Sequence, residues 1–139
     1  PYGSSAASDV YKRQVEGYPH TKSGEINLPL AKSKKNRKKR EVNKNGREAI
    51  TKFETVKKTE ENALLELDLV TGRNHQIRAH LEHLKMPIVN DLLYGAKRNS
   101  KVPENAICLQ SYYLCFTVND EDFEFEIDIP DYFSSIMNM

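Results

Sequence analysis

The sequence predicts a mixed α/β (α+β) architecture, a largely antiparallel sheet with one helix behind a polar turn, and three stretches carry that prediction. Leu65, Leu67 and Leu69 alternate with Glu66, Asp68 and Val70, the period of two expected of a strand with one mostly apolar face. Ile77, Leu81 and Leu84 then fall at i, i+4 and i+7, so the apolar period changes to that of a helix. Phe123, Phe125, Ile127 and Ile129 alternate with Glu124, Glu126 and Asp128, a half-buried strand with an acidic outer face.

The elements follow in order. Ile26-Asn27-Leu28-Pro29-Leu30 reads as a short extended segment ended by proline. Residues 31–40 have no apolar periodicity and read as a flexible basic connection. Residues 49–56 and 63–71 pair as an antiparallel hairpin, with Glu60, Glu61 and Asn62 in its turn. Asn74 is a good N-cap for a helix over 75–84, because its side chain can accept from the free amides of the first turn. Lys85-Met86-Pro87 ends that helix, since the residue before proline is pushed out of helical backbone. A turn over 87–95 and a polar loop over 96–105 lead to a strand over 107–118, which turns back at Asn119-Asp120-Glu121. The count is four main strands and one main helix, without repeat, coiled coil or P-loop.

Composition bounds the function class. At 139 residues and a net charge of +1 the chain suits one modest domain, but the charge is uneven. Residues 32–47 hold nine basic side chains against Glu41, and residues 119–131 hold seven acidic ones and no basic one. Lys34, Lys35, Arg37, Lys38, Lys39 and Arg40 together could neutralise several phosphates and give a salt-sensitive affinity for RNA; the alternative is a solvated loop or a localisation signal. There is no apolar run of membrane-spanning length, so no membrane is expected. Cys108 and Cys115 are seven apart in one predicted strand and point to opposite faces, so they do not bridge each other and suggest only a reducing, cytoplasmic interior, an organelle or the nucleus remaining open. His80 and His83 sit three apart beside Glu82, but H-L-E-H matches neither H-E-x-x-H nor H-x-x-E-H. No metal site is expected, and these histidines read as surface residues near RNA.

Residues 4–14, Ser-Ser-Ala-Ala-Ser-Asp-Val-Tyr-Lys-Arg-Gln, spell the in-frame translation of the read-one adaptor of a transposase-based sequencing library. They are set aside before fold reasoning, leaving residues 1–14 as non-biological, 15–133 as the domain part and 134–139 as a tail.

The chemistry concentrates in Thr71-Gly72-Arg73-Asn74-His75-Gln76-Ile77-Arg78, where strand, turn and helix start meet. Arg73 precedes the cap, His75 sits at the positively polarised end and Arg78 lies about one turn in, an arrangement that suits an anion or a phosphate. The other reading is that Arg78 pairs with Glu82 at i+4 and the histidines are ordinary surface groups.

With Pro87-Ile88-Val89-Asn90-Asp91 and Leu93-Tyr94-Gly95 downstream, this stretch resembles the C-terminal signature of the RluA-like pseudouridine synthases, which isomerise uridine to pseudouridine in ribosomal or transfer RNA. Val15-Glu16-Gly17 is similar to the end of the family's strand that carries a tyrosine beside the active site, and Tyr11, six residues before Gly17, matches that tyrosine by accident if residues 1–14 are set aside. Gly46-Arg47-Glu48-Ala49-Ile50-Thr51-Lys52-Phe53 resembles the family's G-K-x-A-x-T-x-Y strand, and residues 107–116 its late strand. Asn74 stands where the family usually has Thr or Ser, Asn90 replaces a common Gly and tolerates left-handed backbone, and Gln110 replaces a frequent His.

The resemblance implies that Arg78 pairs with the catalytic aspartate and holds it ionised and oriented, with RNA as partner, no cofactor and a monomeric parent. Arg73 and His75 would meet the RNA backbone or structural partners, and Tyr94 would pack rather than react. The family carries its aspartate in a motif like H-R-L-D-R-x-T-S-G, and no Arg-Leu-Asp string occurs here. No nucleophile is therefore nominated, and a chain of this kind is expected to be inactive alone. A non-catalytic RNA-binding module is the alternative.

Overall fold

The computed structural model of the chain describes residues 8–16, 21–118, 120–126, 128 and 130–137. Residues 1–7, Gly17, Ile127, Ile129 and the end of the expected tail at 138–139 lie outside them. One six-stranded sheet carries the fold, built from β1 (Ser8–Glu16), β2 (Ser23–Asn27), β5 (Ile50–Lys58), β6 (Asn62–Leu69), β7 (Leu109–Val118) and β8 (Glu121–Glu126) in the order β2-β5-β6-β1-β7-β8. Every neighbouring pair is antiparallel. β3 (Leu30–Lys32) and β4 (Arg40–Val42) form a separate two-stranded hairpin. The helices are α1 (Gln76–His83) and α2 (Asp131–Met137), with a single 3-10 turn at Leu92–Tyr94.

The predicted hairpin is present: β5 pairs with β6 from Thr51↔Leu69 to Lys58↔Ala63, and Thr59 closes its turn by donating to the Asn62 carbonyl at 2.8 Å. β6 is more buried than its alternation suggests. Ala63, Leu65 and Leu67 fill one face, yet Leu64 on the other is also buried. The second face is covered at Leu64 and only half-buried at Glu66 and Asp68, and each buried leucine contributes about 1.5–3 kcal/mol by leaving water. Ile77 and Leu81 of α1, Ile88, Val89, and Phe133 and Ile136 of α2 complete the same core.

Four expectations are corrected. The sheet has six strands where four main ones were counted, β1, which holds residues 8–14, lying between β6 and β7. The basic run over 31–40 is a hairpin rather than a flexible connection: Ser33 donates to the Lys39 carbonyl at 3.0 Å, and the Ser33 hydroxyl accepts from the Asn36 amide at 3.2 Å. A short polar turn of this kind has no apolar period to betray it. The helix cap is His75, in left-handed backbone at φ 54°, rather than Asn74, and Leu84 is exposed instead of completing the apolar stripe. Residues 131–137 form α2, where a tail was expected from 134.

α1 ends as the proline signal predicts, but through backbone geometry. Lys85 adopts φ 62°, its amide donates to the Glu82 carbonyl at 2.9 Å and the Met86 amide to the Leu81 carbonyl at 2.9 Å. This is the paired closure usually built on glycine. Cys108 lies just before β7 and is buried, which pushes its thiol up to about 12. The side chain of Cys115 is outside the described part of β7. Among the described residues no helix is long and apolar enough to cross a membrane.

Candidate active site

A chain of buried polar groups fixes the strand-turn-helix junction. Gln76, at the start of α1 and 2% exposed, is its centre. Its side-chain amide donates to the Ile50 carbonyl and the Thr51 hydroxyl, each at 2.9 Å. Its side-chain oxygen accepts from the Thr71 hydroxyl at 2.7 Å and the Arg73 amide at 2.9 Å. Thr71 in turn accepts from the Ile50 amide. At the other end His80 Nε2 donates to the Leu28 carbonyl at 2.8 Å, which leaves Nδ1 to accept from the Thr51 hydroxyl at 2.9 Å. A carbonyl can only accept, so one proton arrangement satisfies every member of the chain. His80 is thus a fully buried core residue rather than a surface histidine, and burial holds its pKa below the ordinary 6.5.

On this frame stands Arg78. Its Nε donates to Asp91 Oδ2 and its Nη2 to Asp91 Oδ1, both at 2.8 Å, a two-pronged pair in which the Asp91 side chain is 1% exposed. The bond to Asp91 raises the Arg78 pKa further, so the guanidinium stays charged. Its carbon lies 4.7 Å from the centre of the Tyr94 ring, and its third nitrogen, Nη1, lies 3.3 Å from His75 Nε2. For His75 to accept there, Nδ1 must carry the proton and donate to the Tyr94 hydroxyl at 2.9 Å. Burial, then the charges of Arg78 and Arg40, lower the His75 pKa and favour this neutral form.

Tyr94 packs, as expected, and does so as a hub. It is fully buried, its hydroxyl accepts from the Arg40 amide at 2.9 Å, and burial raises its pKa. Lys39 Nζ sits 4.9 Å from the centre of its ring while pairing with Glu82 at 2.6 Å. The i+4 partner considered for Arg78 is therefore taken by Lys39, and the β3–β4 hairpin is tied to α1. A cavity of about 250 Å³ opens beside this cluster, lined by Leu69 at the end of β6, Arg73, His75, Ile77, Arg78 and Leu109.

The predicted RNA-binding residues divide into two groups. Lys34, Lys35, Arg37 and Lys38 are exposed at the hairpin turn, whereas Lys39 and Arg40 are half-buried against Tyr94. Arg73 Nε is tethered to the Glu48 carbonyl at 2.7 Å. Sequence reasoning missed Asp91 as the partner of Arg78 and missed Thr51, Gln76 and His80 as one network. The pairing crosses a helix terminus and a turn, and no fixed spacing announces it. Asn90 bears out its expected backbone, at φ 68°, and adds a function glycine could not: its oxygen accepts from Arg98 and the Asn99 amide while its nitrogen donates to the Ala106 carbonyl at 2.7 Å.

The profile of the RNA pseudouridylate synthase family matches residues 5–83, more than half the chain. The chain belongs to this family. The match begins within the residues that the sequence reading sets aside. Among curated relatives, an uncharacterized RNA pseudouridine synthase of Aquifex aeolicus is 35% identical over 137 residues, covering 91% of this chain and 43% of its own length. The dual-specificity RNA pseudouridine synthase RluA of Vibrio cholerae is 35% identical over 108 residues, covering 77% of this chain and 44% of that protein. The chain thus spans less than half the length of these relatives. Human RNA pseudouridylate synthase domain containing 1 shares the fold, with a TM-score of 0.76 over 88% of this chain and 55% of that one, at 19% identity.

Proposed function

We propose that this chain is the C-terminal part of the catalytic domain of an RNA pseudouridine synthase, acting on a uridine of ribosomal or transfer RNA. The observation that carries the reading is Arg78: the arginine of Q-I-R, locked by Asp91 on two nitrogens and lining a cavity at the mouth of the sheet. In the proposed reaction a uridine leaves its stack, an aspartate of the parent attacks the nucleotide, and the N1–C1′ bond breaks. The base turns, C5 bonds to C1′ as the aspartate is released as its carboxylate, C5 gives up its proton and N1 takes one, so atoms balance without a cofactor. Arg78 orients the incoming aspartate and holds its charge, presenting the edge that faces His75 rather than the edge already held by Asp91.

Residues 4–14 are taken as adaptor translation, and the parent's own strand occupies the place of β1 between β6 and β7. The parent is taken as a monomeric, intracellular protein. The test is tritium release from RNA labelled at uridine C5. A complete parent should turn over, the 139-residue chain should not, and Arg78→Ala in the parent should abolish release while retaining most RNA affinity. Normal turnover in that variant, or pseudouridine made by the isolated chain, refutes the assignment.

A further inference from the structure

A second cavity, of about 430 Å³, lies between the β3–β4 hairpin and the turn that precedes α1. Its lining includes Lys32, Arg40, Arg47 and Arg73, with Gly46 and Gly72, and no carboxylate. Lys32, Arg40 and Arg47 belong to the basic stretch 32–47 and Arg73 to the turn before α1, and the fold brings these four to one space. Of the run 34–40 only the half-buried Arg40 lines this space, and the exposed Lys34, Lys35, Arg37 and Lys38 do not.

The charge arrangement is costly for a protein without a ligand. Lys32 and Arg40 are direct cross-strand partners in a hairpin of three residues a side, and like charges opposite each other destabilise a strand pair. Arg47 is brought beside them by the Leu30↔Arg47 bridge, in which the Arg47 amide donates to the Leu30 carbonyl at 2.8 Å. Arg73 is held by its Nε on the Glu48 carbonyl, which leaves the two-nitrogen end of the guanidinium for another acceptor. Gly46 permits the approach: a Cβ there would stand 2.4 Å from the Leu30 oxygen. The cavity is of a size that takes a small ligand group, and one dianionic or monoanionic oxyanion would relieve the repulsion of Lys32 and Arg40 while meeting guanidinium donors.

We propose that this cavity is a seat for one backbone phosphate of the RNA, adjoining the Arg78 cavity through Arg73, which lines both, and gripping the strand on the hairpin side of the site. The proposal rests on the RNA reading above. It differs from a general basic patch in that one phosphate is held at a defined place.

The test uses the 139-residue chain, 15N-labelled, with a uridine-containing RNA hairpin and, separately, inorganic phosphate. RNA should shift the backbone amide signals of Gly46 and Gly72. Lys32→Gln/Arg47→Gln, both at exposed side chains, should weaken RNA binding roughly five- to eightfold at 0.1 M salt and lower the slope of log affinity against log salt by about 0.7–0.9, the effect of one phosphate contact. RNA that binds without moving those amides, and binds the double variant equally well, overturns the phosphate seat and leaves the synthase reading intact. Inorganic phosphate that moves them while RNA neither moves them nor displaces it also overturns the proposal, in favour of a small-anion site. No RNA binding by the wild-type chain defeats the RNA reading of this segment and the seat with it.

Discussion

Breaking the Arg78–Asp91 pair from its two ends should cost different amounts, because the halves are buried unequally: the Asp91 side chain is 1% exposed and that of Arg78 20%. Arg78→Met leaves a carboxylate without its cation where water does not reach, and losing one partner of a buried pair costs about 3–5 kcal/mol. Asp91→Asn keeps the volume and one acceptor oxygen, and the stranded guanidinium retains the Tyr94 face, His75 and some water. Its cost should be about 1.5–3 kcal/mol, that of bonds to a charged group. Arg78→Met combined with Asp91→Leu removes both demands and should cost less than Arg78→Met alone. The assay is urea unfolding followed by far-ultraviolet circular dichroism, with m-values compared to confirm that the same transition is measured. Costs of Arg78→Met and Asp91→Leu, each measured singly, that add in the double variant to within about 0.5 kcal/mol would mean that the two groups do not act as a pair. So would an Asp91→Asn cost above that of Arg78→Met.

Stability should fall on acidification below the ordinary histidine pKa of 6.5, because His80 and His75 are held below it in the folded chain. The unfolded chain then binds more protons, so stability is full above about pH 6.5 and declines as pH drops toward the depressed folded values. The urea midpoint should decrease from pH 7.5 to pH 5.5, less steeply in His80→Gln; a wild-type midpoint that rises over this interval contradicts the neutral assignment. Gly46→Ala would place a methyl 2.4 Å from the Leu30 carbonyl oxygen and 2.5 Å from its carbon, backbone atoms that cannot swing aside. A loss of about 1–3 kcal/mol is expected from such overpacking, and an unchanged melting temperature would refute the close approach. Asn90→Gly keeps the left-handed backbone but removes the bonds to Arg98, Asn99 and Ala106, so limited proteolysis should cut the 97–106 loop faster. Equal cutting rates would show that the loop is held by other contacts.

What was legible in the sequence was what depends on local period. β5, β6 and α1 follow from alternation and from Ile77 and Leu81, since burying one face imposes a repeat, and β8 falls where residues alternate in sequence. The hairpin β3–β4 has three residues a side and a turn held by Ser33 and Asn36, too short for a period to register. The cap was misplaced because Asn74 is the better capping residue by type, while the chain instead spends a left-handed conformation on His75, which puts that ring between Tyr94 and Arg78. Local preference lost there to a tertiary contact, as tends to happen where a site is built. α2 was hidden by its length: Phe133 and Ile136 are three apart, a single turn whose meaning comes from the core they enter.

The arginine and its supports separate into two layers with different tasks. The Leu28, His80, Thr51, Gln76 and Thr71 network has one proton arrangement and no free member, so it sets where the first turn of α1 begins. Asp91, Tyr94 and His75 lie beyond it and set how Arg78 is turned. Two nitrogens are spent on Asp91, and the contact left to Nη1 is a neutral ring at 3.3 Å. A second carboxylate entering the cavity would meet a guanidinium already oriented, and would replace a weak contact with a charge-assisted one. The cost of ordering a long side chain is then borne by the Asp91 pair before any ligand enters the cavity.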